Sequence, residues 1–210
     1  MKHLIIIGVG VLSDIVHEYA LKSYSYNKEW DFKGYLYGDN DSQKDIEKKK
    51  PLAHYGQYVI QGDDVFVCSY FDNRNRKMAS LFMKEKNANF VNVIHPSANI
   101  FSSAVLGVGN VIGAFTTISS NVTIGNMNFI QDQCNIGHDS NIGDYNHLFV
   151  NTILSGNNKV ANETSLYTCS LLFPGIRVGN SAIVSAGSVV MRHVKDCVTV
   201  MGNPAKKVEE

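Results

Sequence analysis

From Ile94 to Val190 every sixth residue is Ile, Leu or Val without a break, seventeen positions in all. If roughly one residue in four were one of these three, the chance of such a run would be on the order of 10⁻¹⁰. A period of six matches neither the 3.6 of a helix nor the 2 of a flat strand. It fits an inward residue that recurs once per short strand and corner, three such sides closing one coil, which is a hexapeptide parallel β-helix. Coils of that kind stack at strand spacing, about 4.8 Å, so each inward aliphatic rests on its counterparts one coil before and one coil after. The register does not slip between Ile94 and Val190, so no long loop interrupts the stack.

The residues between the aliphatics fit the same reading. Gly follows the aliphatic at Gly107, Gly113, Gly125, Gly137, Gly143 and Gly179, and small residues such as Thr116, Cys134, Ser140, Thr152, Ser170 and Ser188 recur four positions after it. Tight corners need small side chains and accept positive φ most readily with Gly or Asn. The asparagines Asn110, Asn121, Asn126, Asn128, Asn141 and Asn180 are therefore read as corner residues.

The texture changes near residue 90. Residues 1–90 hold 13 of the 19 Lys and Arg and 12 of the 19 Asp and Glu, and neither part is basic enough to suggest a nucleic-acid partner. Two domains are expected, 1–90 and 91–210, the second ending in a short tail. The four cysteines are scattered and form no C-x-x-C pair, so they read as reduced packing residues in a cytoplasmic protein. The apolar run after Met1 is too short for a signal peptide or a membrane span.

In the first domain Leu4-Ile5-Ile6-Ile7, Gly8-Val9-Gly10 and a helical stretch from about Ser13 to Ser23 read as strand, glycine turn and helix. Further strands are expected at Tyr35–Tyr37 and Val65–Cys68, with a helix over Asn73–Lys86, and Phe90–Val93 leads into the repeat. Three or four strands give a small Rossmann-like parallel sheet. A ligand would sit at the carboxyl ends of the strands, where Gly8 to Leu12, Gly38-Asp39 and Ser69-Tyr70 converge. Ser13 stands where a full dinucleotide fingerprint has its third Gly, so a whole NAD is not expected. Two readings stay open here. The turn binds a single nucleotide with Asp39 accepting from a ribose or base, or Gly8 and Gly10 only let the chain turn and Asp39 caps a loop. Lys48-Lys49-Lys50 reads as a solvated loop.

In the repeat His138 and His147 fall on successive faces of one coil, outside the inward register. A corner histidine can serve hydrogen bonding alone. A histidine beside a carboxylate, as in His138-Asp139, is also how a general base is built near neutral pH. Neighbours on a strand point to opposite faces, so Asp139 can reach His138 only if the chain turns between them. A zinc site on this fold, as in the γ-type carbonic anhydrases, needs three histidines, and only these two lie between Ser97 and Arg192. No metal is expected.

With the hexad column, the segments Gly137-His138-Asp139-Ser140 and Gly143-Asp144-Tyr145-Asn146-His147, Pro174-Gly175, Ser185-Ala186-Gly187 and Gly202-Asn203-Pro204-Ala205-Lys206 resemble the bacterial nucleotide-sugar N-acetyltransferases with a left-handed β-helix. The resemblance extends to the N-terminal α/β domain. It is strongest to enzymes acetylating UDP-4-amino-sugars in bacillosamine-type pathways and to perosamine and sialic-acid-pathway acetyltransferases. It implies an α/β N-terminal domain followed by an all-β left-handed parallel β-helix, and acetyl-CoA as co-substrate. It also implies a nucleotide-linked amino-sugar acceptor, a UDP-4-amino-sugar first, and a homotrimer with CoA in the groove between neighbours. His138 would be the general base and Asp139 its orienting partner. His147 would lie against the acetyl or thioester end, and Thr168 and Ala186 would line the CoA groove. The Gly202 to Lys207 segment would close over CoA, with Lys206 or Lys207 at its phosphates. Gly10, Val11, Leu12, Gly38 and Asp39 match nucleotide-contacting positions. Tyr70 stands where relatives often have Gly, and Gln131-Asp132 replaces an Asn-Thr pair; the first of these leaves the nucleotide open. Sugar or sialic acid O-acetylation and a non-catalytic nucleotide-sugar-binding scaffold are the alternatives.

Overall fold

The computed structural model of the chain describes residues 1–208 and divides into two units, Met1–Pro96 and Ser97–Glu210. The first unit is built on a strand whose Leu4, Ile5, Ile6 and Ile7 are all fully buried. An apolar run without alternation is what a central parallel strand covered on both faces requires. The elements run β1 (Lys2–Ile7), α1 (Val11–Lys22), β2 (Trp30–Tyr37), α2 (Gln43–Lys49), β3 (Ala53–His54), β4 (Asp64–Cys68), α3 (Asn73–Glu85) and β5 (Asn89–Phe90). The sheet order is β3-β2-β1-β4-β5, and every pairing is parallel. The chain leaves β1 to one side and returns to the other. Their carboxyl ends therefore open a crevice between β1 and β4, where such sheets take ligands.

Two elements go beyond the sequence expectation, and the sheet has five strands rather than three or four. The Lys-rich segment is not a loop. Lys48 and Lys49 form the last turn of α2, where cations suit the helix dipole, and Lys50 closes it in the left-handed conformation. Lys49 pairs with Asp14 and lies 4.6 Å from the Tyr35 ring centre. Short α2 buries none of its residues and so carries no apolar periodicity to read. Val93–Ile94 packs against α1.

The second unit is a left-handed parallel β-helix. From Asn99–Ile100 to Val189–Val190 its strands are two residues each and fall on three faces. The first face runs from Asn99–Ile100 to Val189–Val190 and the second from Val105–Leu106 to Arg177–Val178. The third includes Val111–Ile112 through Ile183–Val184. The second residue of each strand is the inward aliphatic, and from Ile112 to Val190 every one is buried. Strands pair in parallel with the strand one coil on, Ile118 with Ile136 and Ile136 with Leu154.

The corners differ from the expectation in an instructive way. Positive φ does not fall on the glycines after the aliphatic but three residues after it, at Phe115, Asn121, Met127, Gln133, Asp139, Tyr145 and onward. The left-handed conformation costs a bulky residue about 1–2 kcal/mol. It recurs because the same residue's N–H donates to the previous coil, as Met127 to Val108 O, Gln133 to Ala114 O and Tyr145 to Asn126 O. The glycines have another cause. A Cβ on Gly113 would stand 2.6 Å from Asp132 N and one on Gly107 2.6 Å from Gly125 O, both on the next coil.

Asn110 and Asn128 are not surface corners. They lie inside the helix, with Asn146, at no more than 1% exposure. Asn128 N donates to Asn110 Oδ1 at 2.9 Å, Asn146 N to Asn128 Oδ1 at 2.8 Å and Thr164 N to Asn146 Oδ1 at 2.8 Å. This internal ladder satisfies corner amides that water cannot reach. Outside, Asn126, Asp144, Asn162 and Asn180 make a second ladder of the same kind. The last turn is shorter, pairing Ile183 with Thr199 and Val184 with Val200, and Thr199–Gly202 then folds back on Ala205–Lys207 as an antiparallel hairpin.

Candidate active site

His138 stands at the corner that follows the first-face strand Asn135–Ile136. Ile136 points inward, Gly137 lets the next coil approach, and Asp139 takes φ of +57°. That left-handed residue supplies the turn which adjacency on a strand denies. It swings the carboxylate alongside the neighbouring ring, and His138 Nδ1 donates to Asp139 Oδ2 at 2.7 Å. Asn121, one coil earlier, donates its Nδ2 to Asp139 Oδ1 at 3.1 Å. The bond from His138, then that from Asn121, holds the Asp139 carboxyl below the usual carboxylate range. The His138 side chain is 58% exposed. With its proton fixed on Nδ1, the imidazole presents Nε2 as an open lone pair, the arrangement of a general base.

The other residues expected beside CoA are placed differently. His147 starts a third-face strand and its side chain lies outside the aliphatic column, yet it is only 1% exposed. Its ring stacks on Phe149 with centres 3.9 Å apart and lies 5.1 Å from Phe129, and its Nε2 accepts from Gln131 at 3.1 Å. Within this chain His147 is enclosed between Phe129 and Phe149. Thr168 and Ala186 are exposed and stack one coil apart, Gly187 N donating to Thr168 O at 2.9 Å. They follow third-face strands, whereas His138 follows a first-face strand. The structure thus joins His138 with Asp139, and Thr168 with Ala186, but puts the two pairs on different corners. The C-terminal hairpin contributes Lys206 and Lys207 to a cavity of about 480 Å³ that Arg192 and Lys195 also line.

In the first unit a cavity of about 530 Å³ opens at the carboxyl ends of β1 and β4. Gly10, Val11, Leu12 and Tyr70 line it as expected, but Gly38 and Asp39 do not. The Asp39 side chain is 88% exposed and pairs with His54 at 3.2 Å. Asp41 takes the inner place. Its Oδ1 accepts from Val9 N at 3.1 Å, and its Oδ2 accepts from Gly38 N at 2.9 Å and Tyr70 Oη at 2.6 Å. A tight turn, Asp41 N donating to Gly38 O, brings Asp41 rather than Asp39 back over the glycine turn. Burial, then the bond to Asp41, pushes the Tyr70 hydroxyl far above the usual phenol range, so it remains a donor. Buried Arg76 fixes the far wall, donating to Tyr70 O at 2.8 Å and Asn73 Oδ1 at 2.6 Å. The sequence shows the Gly-Asp-Asn-Asp-Ser segment that carries Asp41; which aspartate turns inward depends on the turn geometry.

No protein-family model matches the chain. The chain is similar over its whole length to the perosamine N-acetyltransferase PerB of Caulobacter crescentus in complex with CoA and GDP-perosamine. The identity is 26% and the TM-score 0.87, covering 100% of this chain and 98% of that one. Two further structures of that enzyme, each with one histidine replaced, match at 25% identity and a TM-score of 0.89. The acetyltransferase domain of PglB from Neisseria gonorrhoeae, in complex with acetyl coenzyme A, shares the fold at 22% identity with a TM-score of 0.87 and 99% of both chains covered. A chloramphenicol acetyltransferase of Klebsiella aerogenes is 32% identical over 56 residues, a stretch that spans 27% of this chain and 27% of that relative. In fold and in whole-length likeness the chain is similar to acyltransferases of the hexapeptide-repeat class. Within that class it is similar from end to end to the bacterial nucleotide-sugar N-acetyltransferases. Among the described residues no group of three His, Cys, Asp or Glu is gathered to hold a metal, and no helix is long and apolar enough to cross a membrane.

Proposed function

We propose that this protein is an acetyl-CoA-dependent N-acetyltransferase acting on the amine of a nucleotide-linked amino-sugar. The observation that carries the reading is the exposed His138, whose Nδ1 is held by Asp139 at 2.7 Å while Nε2 stays open. The amine nitrogen attacks the thioester carbon, His138 Nε2 takes the proton that nitrogen sheds, and the C–S bond breaks. The imidazolium then returns a proton to the CoA thiolate. Asp139 stabilises the charged ring during transfer. The Caulobacter complexes with CoA and GDP-perosamine in which one histidine is replaced agree with a histidine whose loss leaves ligand binding intact.

CoA would run along the Thr168–Ala186 corner and meet the basic hairpin cavity with its phosphates. That corner and the His138 corner are different edges of one β-helix, so a neighbouring copy supplies the second, in a homotrimer. His147 then serves the groove through its aromatic stack rather than by an open nitrogen. The first unit would take the nucleotide in its cavity, with half-exposed Phe71 offering a face for the base.

The test mixes purified protein with acetyl-CoA and UDP-, dTDP- and GDP-linked amino-sugars and follows free thiol. Release with an amino-sugar, and none with its hydroxyl analogue, supports the reading and decides between the UDP-4-amino-sugar and a GDP-linked one. Thiol release with no member of the panel overturns it. The nucleotide cavity has its own test. Asp41→Ala frees Val9 N, Gly38 N and Tyr70 together, and we expect KM for the nucleotide-sugar to rise about tenfold with kcat retained. An unchanged KM would remove Asp41 from the substrate site.

A further inference from the structure

We propose that Gly156 and Asn121 are positioning residues for the His138 imidazole, one below it and one above it in the stack. The inference rests on His138 being the general base. Gly156 lies directly beneath His138 on the next coil. A Cβ there would stand 2.5 Å from His138 Nε2, 2.6 Å from Cε1 and 3.0 Å from Cδ2. No other residue supplies its nearest contacts. The absent side chain is therefore the seat on which the Nε2 end of the ring rests. Other glycines of the repeat differ in kind. At Gly107, Gly113 and Gly137 the nearest contacts include backbone of the next coil, so those positions serve the fold, whereas Gly156 serves one exposed ring.

Asn121 acts from the other side. It occupies a left-handed corner, φ +57°, and its N–H is taken by Ser103 Oγ at 3.1 Å. Its side-chain amide is thereby aimed at the following coil, and it donates to the Asp139 oxygen that His138 does not use. With both oxygens engaged the carboxylate cannot rotate. The ring is then held at two points, by Asp139 at Nδ1 and by the seat at Nε2. Three consecutive coils thus fix one base, and a rigid base is what near-attack geometry demands.

The two kinds of glycine predict opposite outcomes. In Gly156→Ala the clash falls on the tip of an exposed side chain, which is displaced without disturbing the coil, so the melting temperature stays near that of the parent. The base, however, is displaced, and kcat falls about 10²-fold with KM little changed. Asn121→Asp keeps the shape and tolerates the left-handed corner, but replaces the donor by an acceptor; kcat falls about tenfold. Gly107→Ala, which meets next-coil backbone, loses stability and keeps its kcat per folded molecule. Long-range ¹H–¹⁵N spectra of the His138 ring read the geometry without turnover. The parent shows the Nδ1–H tautomer, and Gly156→Ala and Asn121→Asp show a mixture. Parental kcat together with the parental tautomer pattern in both variants overturns the proposal. Should His138→Ala itself retain full activity, the base assignment fails on its own, and the tautomer spectra still decide whether Gly156 and Asn121 hold the ring.

Discussion

Replacing His138 by alanine lowers kcat by roughly 10²–10⁴ while the β-helix melts as before. The ring is exposed and fills no part of the aliphatic column, so its removal leaves no cavity. What disappears is the one open imidazole nitrogen paired to a carboxylate at this corner. Asp139→Asn should follow at a smaller cost, since it preserves the shape but not the charge facing the imidazolium. The acid limb has a defined sign. Asp139 is held below its ordinary range by His138 and Asn121, so the carboxylate and its grip on Nδ1 are complete above the unfolded value. They are lost only as pH falls through the lower, folded one. Steady-state rates for both variants, with circular dichroism for the fold, check this. Full activity in His138→Ala would remove the general base from the mechanism.

The second large effect is on stability and lies where the chain looks least like a core. Asn128→Ala should cost about 3 kcal/mol, measured by chemical denaturation. Asn128 is 1% exposed. Its Oδ1 accepts from Asn146 N, and its Nδ2 donates to Asn110 Oδ1 and to Gly143 O. Alanine strands the Asn146 amide in a place water cannot enter, and a buried unpaired amide costs more than the bond it made. Asn141→Ala, on an exposed strand position, should change stability by no more than about 0.5 kcal/mol. Equal losses at the two sites would mean that the internal ladder adds nothing.

The sequence carried the β-helix in full because one physical demand, an inward aliphatic per side, repeats without exception. It carried the His138–Asp139 pair as chemistry but not as geometry. The left-handed residue that closes the pair lies three places after each aliphatic and can be Phe, Met, Gln or Glu. Its conformation is imposed by a bond from the previous coil, and no residue type announces it. The buried asparagines were hidden for a related reason. Asn is a surface residue by preference, and only the stacking of unsatisfied corner amides makes it an interior one. In the first unit the glycine turn and Tyr70 were legible. Asp41 was not, because it shares its segment with Asp39 and the choice between them is made by a turn. The register puts His147 outside the aliphatic column but says nothing of its surroundings, because the aromatic residues that enclose it come from a coil 18 residues away as well as its own.

A stack of identical coils has no built-in length, and each new coil offers a fresh edge for another strand. Here the shortened last turn and the antiparallel hairpin end that growth. On the third face the final strand runs against the others, so a further coil finds no parallel template there. It also carries Lys206 and Lys207 along its three residues, charges of the kind that guard exposed sheet edges. The hairpin thus gives the third face of a self-complementary repeat an edge unlike its other strands.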